Sequence, residues 1–181
     1  MTDIPGMYIL KEFITEEEEK ELIDEIDSLE WSNELNRRTQ QYGYKYDYKS
    51  REVEGKAEEM PDKVAQIAKK ITKHALMDMP NQCIINEYEP GQGITAHTDH
   101  KSFGPVITTL SLLSAVKFNM KGAKNKSFYI KPRTLVVLSG DSRFKYKHSI
   151  DSVKYDDIML KSGEVNRIYR NRRISVTFRT F

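Results

Sequence analysis

Residues 173–179, RISVTFR, alternate strictly: in an extended chain Arg173, Ser175, Thr177 and Arg179 fall on one side and Ile174, Val176 and Phe178 on the other. The apolar side calls for hydrophobic packing. The opposite side carries two arginines six residues apart, and arginines turned inward need anionic partners because an unpaired buried charge is very costly. Guanidinium forks bind carboxylates in bidentate fashion, so a dicarboxylate ligand would satisfy them; protein acids such as Glu87 or Glu89 are the competing partners.

Outward from this strand, everything beyond about Pro80 has the same texture. CIINEYE, PVITTLSLL, VKFNM, SFYIK and TLVVLS are short β-rich runs, and EPGQG, MKGAKN and LSGDS read as the turns between them. Residues 150–172 fit no strand pattern and are expected to form a long loop. Two helices precede the strands. Thr15 and Glu18 have the form of a capping box ahead of Leu22, Ile23, Ile26 and Leu29. Pro61 suits a first helical position, followed by a stripe of Val64, Ile67, Ala68, Ile71, Ala75 and Leu76. The expected class is α+β, mainly β, an antiparallel sandwich or barrel flanked by helices.

The 181 residues, 38% hydrophobic and 31% charged, suit a single domain with one core and a solvated surface. The start, MTDIPGMYIL, lacks the pattern of a secretion signal, and the longest apolar run, Leu135–Leu138, is far short of a membrane span, so a soluble monomer is expected. A single cysteine, Cys83, fits a reducing compartment, cytoplasm or nucleus. The net charge of +2 is unevenly spread: positions 1–30 hold 11 acids and 2 bases, positions 121–181 hold 5 acids and 15 bases. The basic end permits nucleic-acid binding, or is simply a solvated lysine-rich surface.

His97-Thr98-Asp99 follows a glycine-rich turn, and residues two apart in an extended segment can meet one ion. Alone this is a weak signal. With His148, beyond the apolar strand at 134–138, the set becomes two imidazoles and one carboxylate, the facial triad that leaves positions open on a non-haem iron. A closed zinc site would normally take four protein ligands, usually with cysteine. His74 and His100 compete for ligand roles, but His74 lies in a lysine-rich helix and His100 points away from the Asp99 face if the chain stays extended. Asn86 and Tyr88, two apart, could add an amide and a phenol to the anion site or simply form a polar strand face.

Asn86-x-Tyr88, the Pro90-Gly91 turn, His97-x-Asp99, a distant His148 and Arg173-x5-Arg179, in this order, resemble the AlkB family of Fe(II)- and 2-oxoglutarate-dependent dioxygenases. The resemblance is close from about Ile84 to Phe181 and looser before. It implies a double-stranded β-helix, or jelly roll, core over 82–181 with two buttressing helices, iron held by His97, Asp99 and His148, and the distal carboxylate of 2-oxoglutarate anchored by Arg173 with Tyr88. Arg179 and Asn86 would lie near its iron-chelating end, with Ser175 in the same cosubstrate site. It also implies O2-dependent oxidation of a substrate C–H bond, which on an N-methyl group amounts to demethylation. The segment 31–56 resembles the family's nucleotide-recognition lid, where Arg37 and Arg38 suit phosphates and Trp31, Tyr42 or Tyr44 could stack on a base; alternatively Tyr42, Tyr44, Tyr46 and Tyr48 line one strand face against the core.

Two departures bear on substrate. Lys101 stands where repair members carry an acid that helps read the base, and Ser175 where some members have asparagine. The expected activity is demethylation or hydroxylation of N-alkylated nucleobases in DNA or RNA. A tRNA wobble-modifying, protein-directed or small-molecule oxygenase and an inactive nucleic-acid-binding module are the alternatives.

Overall fold

The computed structural model describes residues 1–181 apart from 48, 57 and 75, and apart from the side chains of 53 and 54. The order is β1 (Met7–Leu10), α1 (Glu16–Asp27), β2 (Thr39–Asp47), β3 (Glu52–Lys56), α2 (Asp62–Lys73), β4 (Gln82–Tyr88), β5 (Ile94–His97) and β6 (Ile107–Leu112). Then follow β7 (Val116–Lys121), β8 (Lys126–Ile130), β9 (Leu135–Leu138), α3 (Gly140–Phe144), β10 (Lys147–Ile150), β11 (Tyr155–Met159), β12 (Val165–Tyr169) and β13 (Arg173–Arg179). Among the described residues the major sheet runs β1-β9-β6-β13-β4-β2-β3 and the minor sheet β5-β10-β7-β8, with antiparallel pairing throughout. The protein is mainly β with a jelly-roll arrangement, in line with its sequence.

β13 sits in the middle of the major sheet between β4 and β6, and its alternation organises the molecule. Ile174, Val176 and Phe178, all fully buried, join Cys83, Ile85, Leu110 and Leu112 in the core beneath the helices. Arg173, Ser175, Thr177 and Arg179 instead line a cavity that His97 and His148 of the minor sheet also line. On the helical side, α1 starts at Thr15, whose hydroxyl accepts from Glu18 N (3.1 Å) while Glu18 accepts from Thr15 N (3.2 Å). α1 buries Leu22 and Ile26, and α2 buries Val64, Ile67, Ala68 and Ile71, against this core. Each of these Leu, Ile and Val side chains contributes roughly 1.5–3 kcal/mol by leaving water. Pro61 is the residue before α2, not its first helical one. The carboxylate of Glu25 on α1 caps that helix by accepting from Lys63 N (2.8 Å) and Val64 N (3.3 Å). Ala75, expected on this stripe, lies outside the described residues.

Three expectations are corrected. Residues 150–172 are not one long loop: β11 and β12 pair as a hairpin, turning at Gly163 (φ 86°). Its base is fastened by Arg170, which donates to both oxygens of Asp156 at 2.8 Å and to Asp151 O at 2.6 Å. LSGDS is not a simple turn, since Ser139 and Ser142 cap the short helix α3. The tyrosines of β2 do not share one face. Gly43 adopts φ 76° with Asn81 O so close that a Cβ would lie 2.0 Å from it, and the alternation breaks there. Tyr42 turns into the helical core, while Tyr46 packs with Phe103 and Ile107 on the other side; Tyr48 lies outside the described residues. No described helix is long and apolar enough to cross a membrane.

Candidate active site

His97 closes β5 directly opposite His148 on β10, so antiparallel register brings together two imidazoles 51 positions apart in sequence, with ring centres 4.3 Å apart. Asp99 follows in the loop, its Oδ1 3.6 Å from His97 Nε2 and 3.3 Å from His148 Nε2. One ligand atom from each residue lies within 4.8 Å of the others. His97 Nδ1 is 2.8 Å from Thr95 O, which places the proton on Nδ1 and leaves the Nε2 lone pair for a metal. Burial, then the neighbouring His148, holds His97 below the ordinary histidine range and favours its neutral form. Burial works against the charge of Asp99, but Arg179 and the two histidines outweigh it and hold the carboxyl far below its usual range. Two imidazole nitrogens and a carboxylate, with no fourth ligand in the cluster among the described residues, suit an open ferrous site.

The loop carrying Asp99 is held from behind by Arg143, a residue the sequence reading passed over. Buried at 2% exposure, its guanidinium donates to Asp99 O (2.9 Å), His100 O (2.9 Å), Phe103 O (3.2 Å) and Gly104 O (3.3 Å). Burial draws its pKa down from the ordinary arginine value. Nothing in SGDSRFKYKH distinguishes this arginine from a surface one, because its partners lie some 40 residues away.

A cavity of about 60 Å³ between the sheets is walled by His97, Asp99 and His148 and also by Asn86, Tyr88, Ser175 and Arg173. Arg173 is 5% exposed. Its Nη2 donates to Ser111 Oγ (2.7 Å), and its Nε and Nη1 have no partner among the described residues. The guanidinium lies 5.3 Å from the Tyr88 ring centre, and burial pulls its pKa down to about 10. Such a cation, still charged at neutral pH, leaves two N–H directions for an anion, the donor set that the distal carboxylate of a keto diacid requires. Arg179 is committed differently: its Nε is 2.7 Å from Asp99 Oδ2. Glu87 pairs with neither strand arginine but with Arg38 and Arg172.

Outside, a cleft of about 830 Å³ opens onto the same His97 and Asp99, walled further by Arg37, Tyr46, Arg51, His100, Phe103 and Lys147. Of the substrate-side candidates, Arg37 alone stands in this wall. Tyr42 is corrected to a core residue, 6% exposed, its hydroxyl donating to Gln40 Oε1 (2.9 Å). Trp31 and Arg38 stack on each other (4.9 Å), Trp31 beside a separate cleft and Arg38 bidentate on Glu87 at 2.8 Å. Tyr44 packs on Phe181 (5.2 Å), and Lys101 is exposed in a turn outside the cleft wall. Tyr46, beside Phe103 of the loop after Asp99, takes the position expected of Tyr42 and Tyr44, because Gly43 and a register shift at Lys45/Tyr46 break the alternation of β2. His74 caps α2 in solvent, and His100 bonds Ser102 through Nδ1 (2.8 Å), so neither joins the triad.

The 2OG-Fe(II) oxygenase superfamily matches this chain over residues 28–179. The uncharacterized protein L905 of Acanthamoeba polyphaga mimivirus is 33% identical over 98% of this chain and 85% of its own length. The mouse tRNA (carboxymethyluridine(34)-5-O)-methyltransferase ALKBH8 is 30% identical over 97% of this chain, which spans only 30% of that larger protein. The solved structure of OsALKBH1 has the same fold, with a TM-score of 0.77 at 16% identity, covering 100% of this chain and 99% of that one. Sequence pattern, relatives and fold agree, and the chain belongs to the AlkB family of the 2OG-Fe(II) oxygenase superfamily, enzymes that use Fe(II) and 2-oxoglutarate.

Proposed function

We propose that this dioxygenase acts on nucleic acid, oxidising N-alkylated nucleobases. The observation that carries the reading is the charge of the outer cleft: Arg37, Arg51 and Lys147 stand in its wall, and its one acid, Asp99, is paired with Arg179. With Asp99 committed to the triad, the cleft presents cations to an incoming ligand, which suits phosphates. Tyr46, His100 and Phe103 supply ring surface beside the triad, where an extruded base would lie. The name of the mouse relative refers to a tRNA nucleoside, which favours RNA among the polyanions.

In this reading His97, Asp99 and His148 hold iron(II), Arg173 and Tyr88 hold the distal carboxylate of 2-oxoglutarate, and Asn86, Ser175 and Arg179 line the rest of the cosubstrate cavity. Bound there, iron and 2-oxoglutarate supply O2 activation coupled to decarboxylation, so that a substrate C–H bond is hydroxylated and succinate and CO2 leave; an N-hydroxymethyl product then collapses to formaldehyde and the free amine. The protein's part is positional. Arg143 keeps the Asp99 loop rigid, the Thr95 carbonyl fixes the His97 tautomer, and Arg173 sets the direction of the cosubstrate. Residues 31–56 act as the lid of one catalytic unit over 1–181, its jelly-roll core at 82–181.

The test is succinate release with iron(II) and 2-oxoglutarate in the presence of methylated single- and double-stranded DNA and RNA oligonucleotides, with nucleosides analysed by mass spectrometry. Loss of a methyl group, or its conversion to hydroxymethyl, is expected. Succinate formed without any change in nucleic acid redirects the reading to a protein or small-molecule substrate. Oligonucleotide binding that ignores iron, with no succinate at all, makes the chain an inactive binding module.

A further inference from the structure

Arg37 belongs to the outer cleft, yet its guanidinium reaches inward. Nε donates to Asn86 Oδ1 at 2.9 Å, and Cζ lies 5.9 Å from the ring centre of Tyr88, the ring that Arg173 approaches at 5.3 Å. Asn86 and Tyr88 wall the inner cavity, and Arg37 walls the outer one. Arg37 has no acidic partner among the described residues.

Its position is set by the backbone. Glu87 N donates to Arg38 O (2.9 Å) and Thr39 pairs with Asn86, so the start of β2 is in register with the end of β4. The next arginine, Arg38, is clasped by Glu87, which also accepts from Arg172 Nε (2.7 Å), while Arg172 forks onto Asp27. That network fixes the chain at residue 38 and leaves Arg37 directed at Asn86.

The chemistry of an amide gives this contact a consequence. Only the carbonyl oxygen of asparagine can accept from a guanidinium N–H, so the Arg37 contact chooses one of the two amide orientations. With Oδ1 taken, Nδ2 has no acceptor among the described residues and is left as the amide's free donor at a wall of the inner cavity. An amide in the opposite orientation would offer a carbonyl oxygen to an anionic cosubstrate, which repels it.

We infer that Arg37 is a positioning residue for the keto acid: it locks the Asn86 amide in its donor orientation and thereby couples the lid to cosubstrate binding. This rests on the proposed 2-oxoglutarate site. It gives Arg37 an inward role through Nε, beside its place in the wall of the outer cleft.

The experiment is a double-mutant cycle read as 2-oxoglutarate affinity, measured by calorimetry on full-length protein loaded with Mn(II), where no turnover occurs. Arg37→Met, which keeps the stem length, should raise the dissociation constant about tenfold, the scale of one hydrogen bond to a charged group. Asn86→Ala should do the same, and adding Arg37→Met to it should cost less than about twofold more, because the two act through one contact. Arg37→Lys, whose ammonium can still donate to Asn86 Oδ1, should lose less affinity than Arg37→Met. Mn(II) affinity and melting temperature should stay near wild type in all of them. Unchanged 2-oxoglutarate affinity in Arg37→Met, or effects that multiply fully in the double variant, overturns the inference while the cosubstrate site stands. A wild-type protein that binds no 2-oxoglutarate overturns that site itself and the inference with it.

Discussion

Arg170 and Arg173 lie three residues apart, are buried to nearly the same degree (8% and 5% exposed), and lead opposite lives. Arg170 meets both oxygens of Asp156 and a backbone carbonyl, so it closes the base of the β11–β12 hairpin. Arg173 meets one serine hydroxyl and keeps two N–H groups without a partner among the described residues. The first is a finished structural ion pair. In the proposed reading the second takes its carboxylate from 2-oxoglutarate in the cavity that Arg173 lines. Burial alone therefore does not separate structural from functional arginines; the accounting of their hydrogen bonds does.

Breaking the finished pair should cost the most stability. Asp156→Ala leaves the Arg170 charge buried and unpaired, with an expected loss of about 3–5 kcal/mol, read as a shift in the urea midpoint. 2-Oxoglutarate affinity in Mn(II)-loaded protein should change by less than about twofold. If it falls with stability, the two arginines are not independent and the contrast fails.

Arg173→Met should do the reverse. The 2-oxoglutarate dissociation constant is expected to rise about 100-fold, since two charge-assisted bonds are lost. The unliganded protein should melt at or above the wild-type temperature, because an uncompensated buried charge has been removed. A large drop in melting temperature without ligand would mean that Arg173 is structural after all.

Ligand addition sharpens the same point. Metal at about 100 times its dissociation constant should stabilise the protein by about 2.7 kcal/mol, and 2-oxoglutarate should add a second increment. A chelator should reverse both in a thermal melt. In Arg173→Met the metal increment should persist and the 2-oxoglutarate increment vanish; persistence of both would place the diacid elsewhere.

The smallest effect concerns pH and the third buried cluster, Glu87 with Arg38 and Arg172. Hydrogen bonding from Arg38, joined by that from Arg172, outweighs burial and holds the Glu87 carboxyl below the usual glutamate range. A depressed carboxyl pKa stabilises the fold fully above the unfolded value, about 4.3, and that contribution is lost as pH falls through the lower folded value. Between about pH 5 and pH 3 the wild-type melting temperature should therefore fall more steeply than that of Glu87→Gln. Parallel curves in calorimetry would show that Glu87 carries no linked proton.

Much of this was legible in one dimension. The alternation of RISVTFR places Ile174, Val176 and Phe178 in the core and the two arginines in the cavity, because period two is a property of the extended chain itself. The capping box at Thr15 is equally local. His97-x-Asp99 with His148 was readable as a ligand set through the chemistry of its residue types, and register then brought the side chains within reach of one ion. Of the two readings open for the β2 tyrosines, Tyr42 follows the core one, whereas Tyr46 leaves that face because the left-handed Gly43 and a register shift at Lys45/Tyr46 break the alternation, of which the sequence pattern carries no sign.

The sequence by itself determined the alternation of RISVTFR, the capped start of α1, and which side chains have the chemistry to hold a metal and a diacid. Only the tertiary structure decided which arginine received a carboxylate. Asp156 completes Arg170, Glu87 is consumed by Arg38 and Arg172, Arg143 is spread over the carbonyls behind Asp99, and Arg173 keeps Nε and Nη1 without a partner among the described residues. Those assignments depend on strand register and long-range approach: the sequence offers Glu87 as a candidate acid but carries no record of which arginines will reach it.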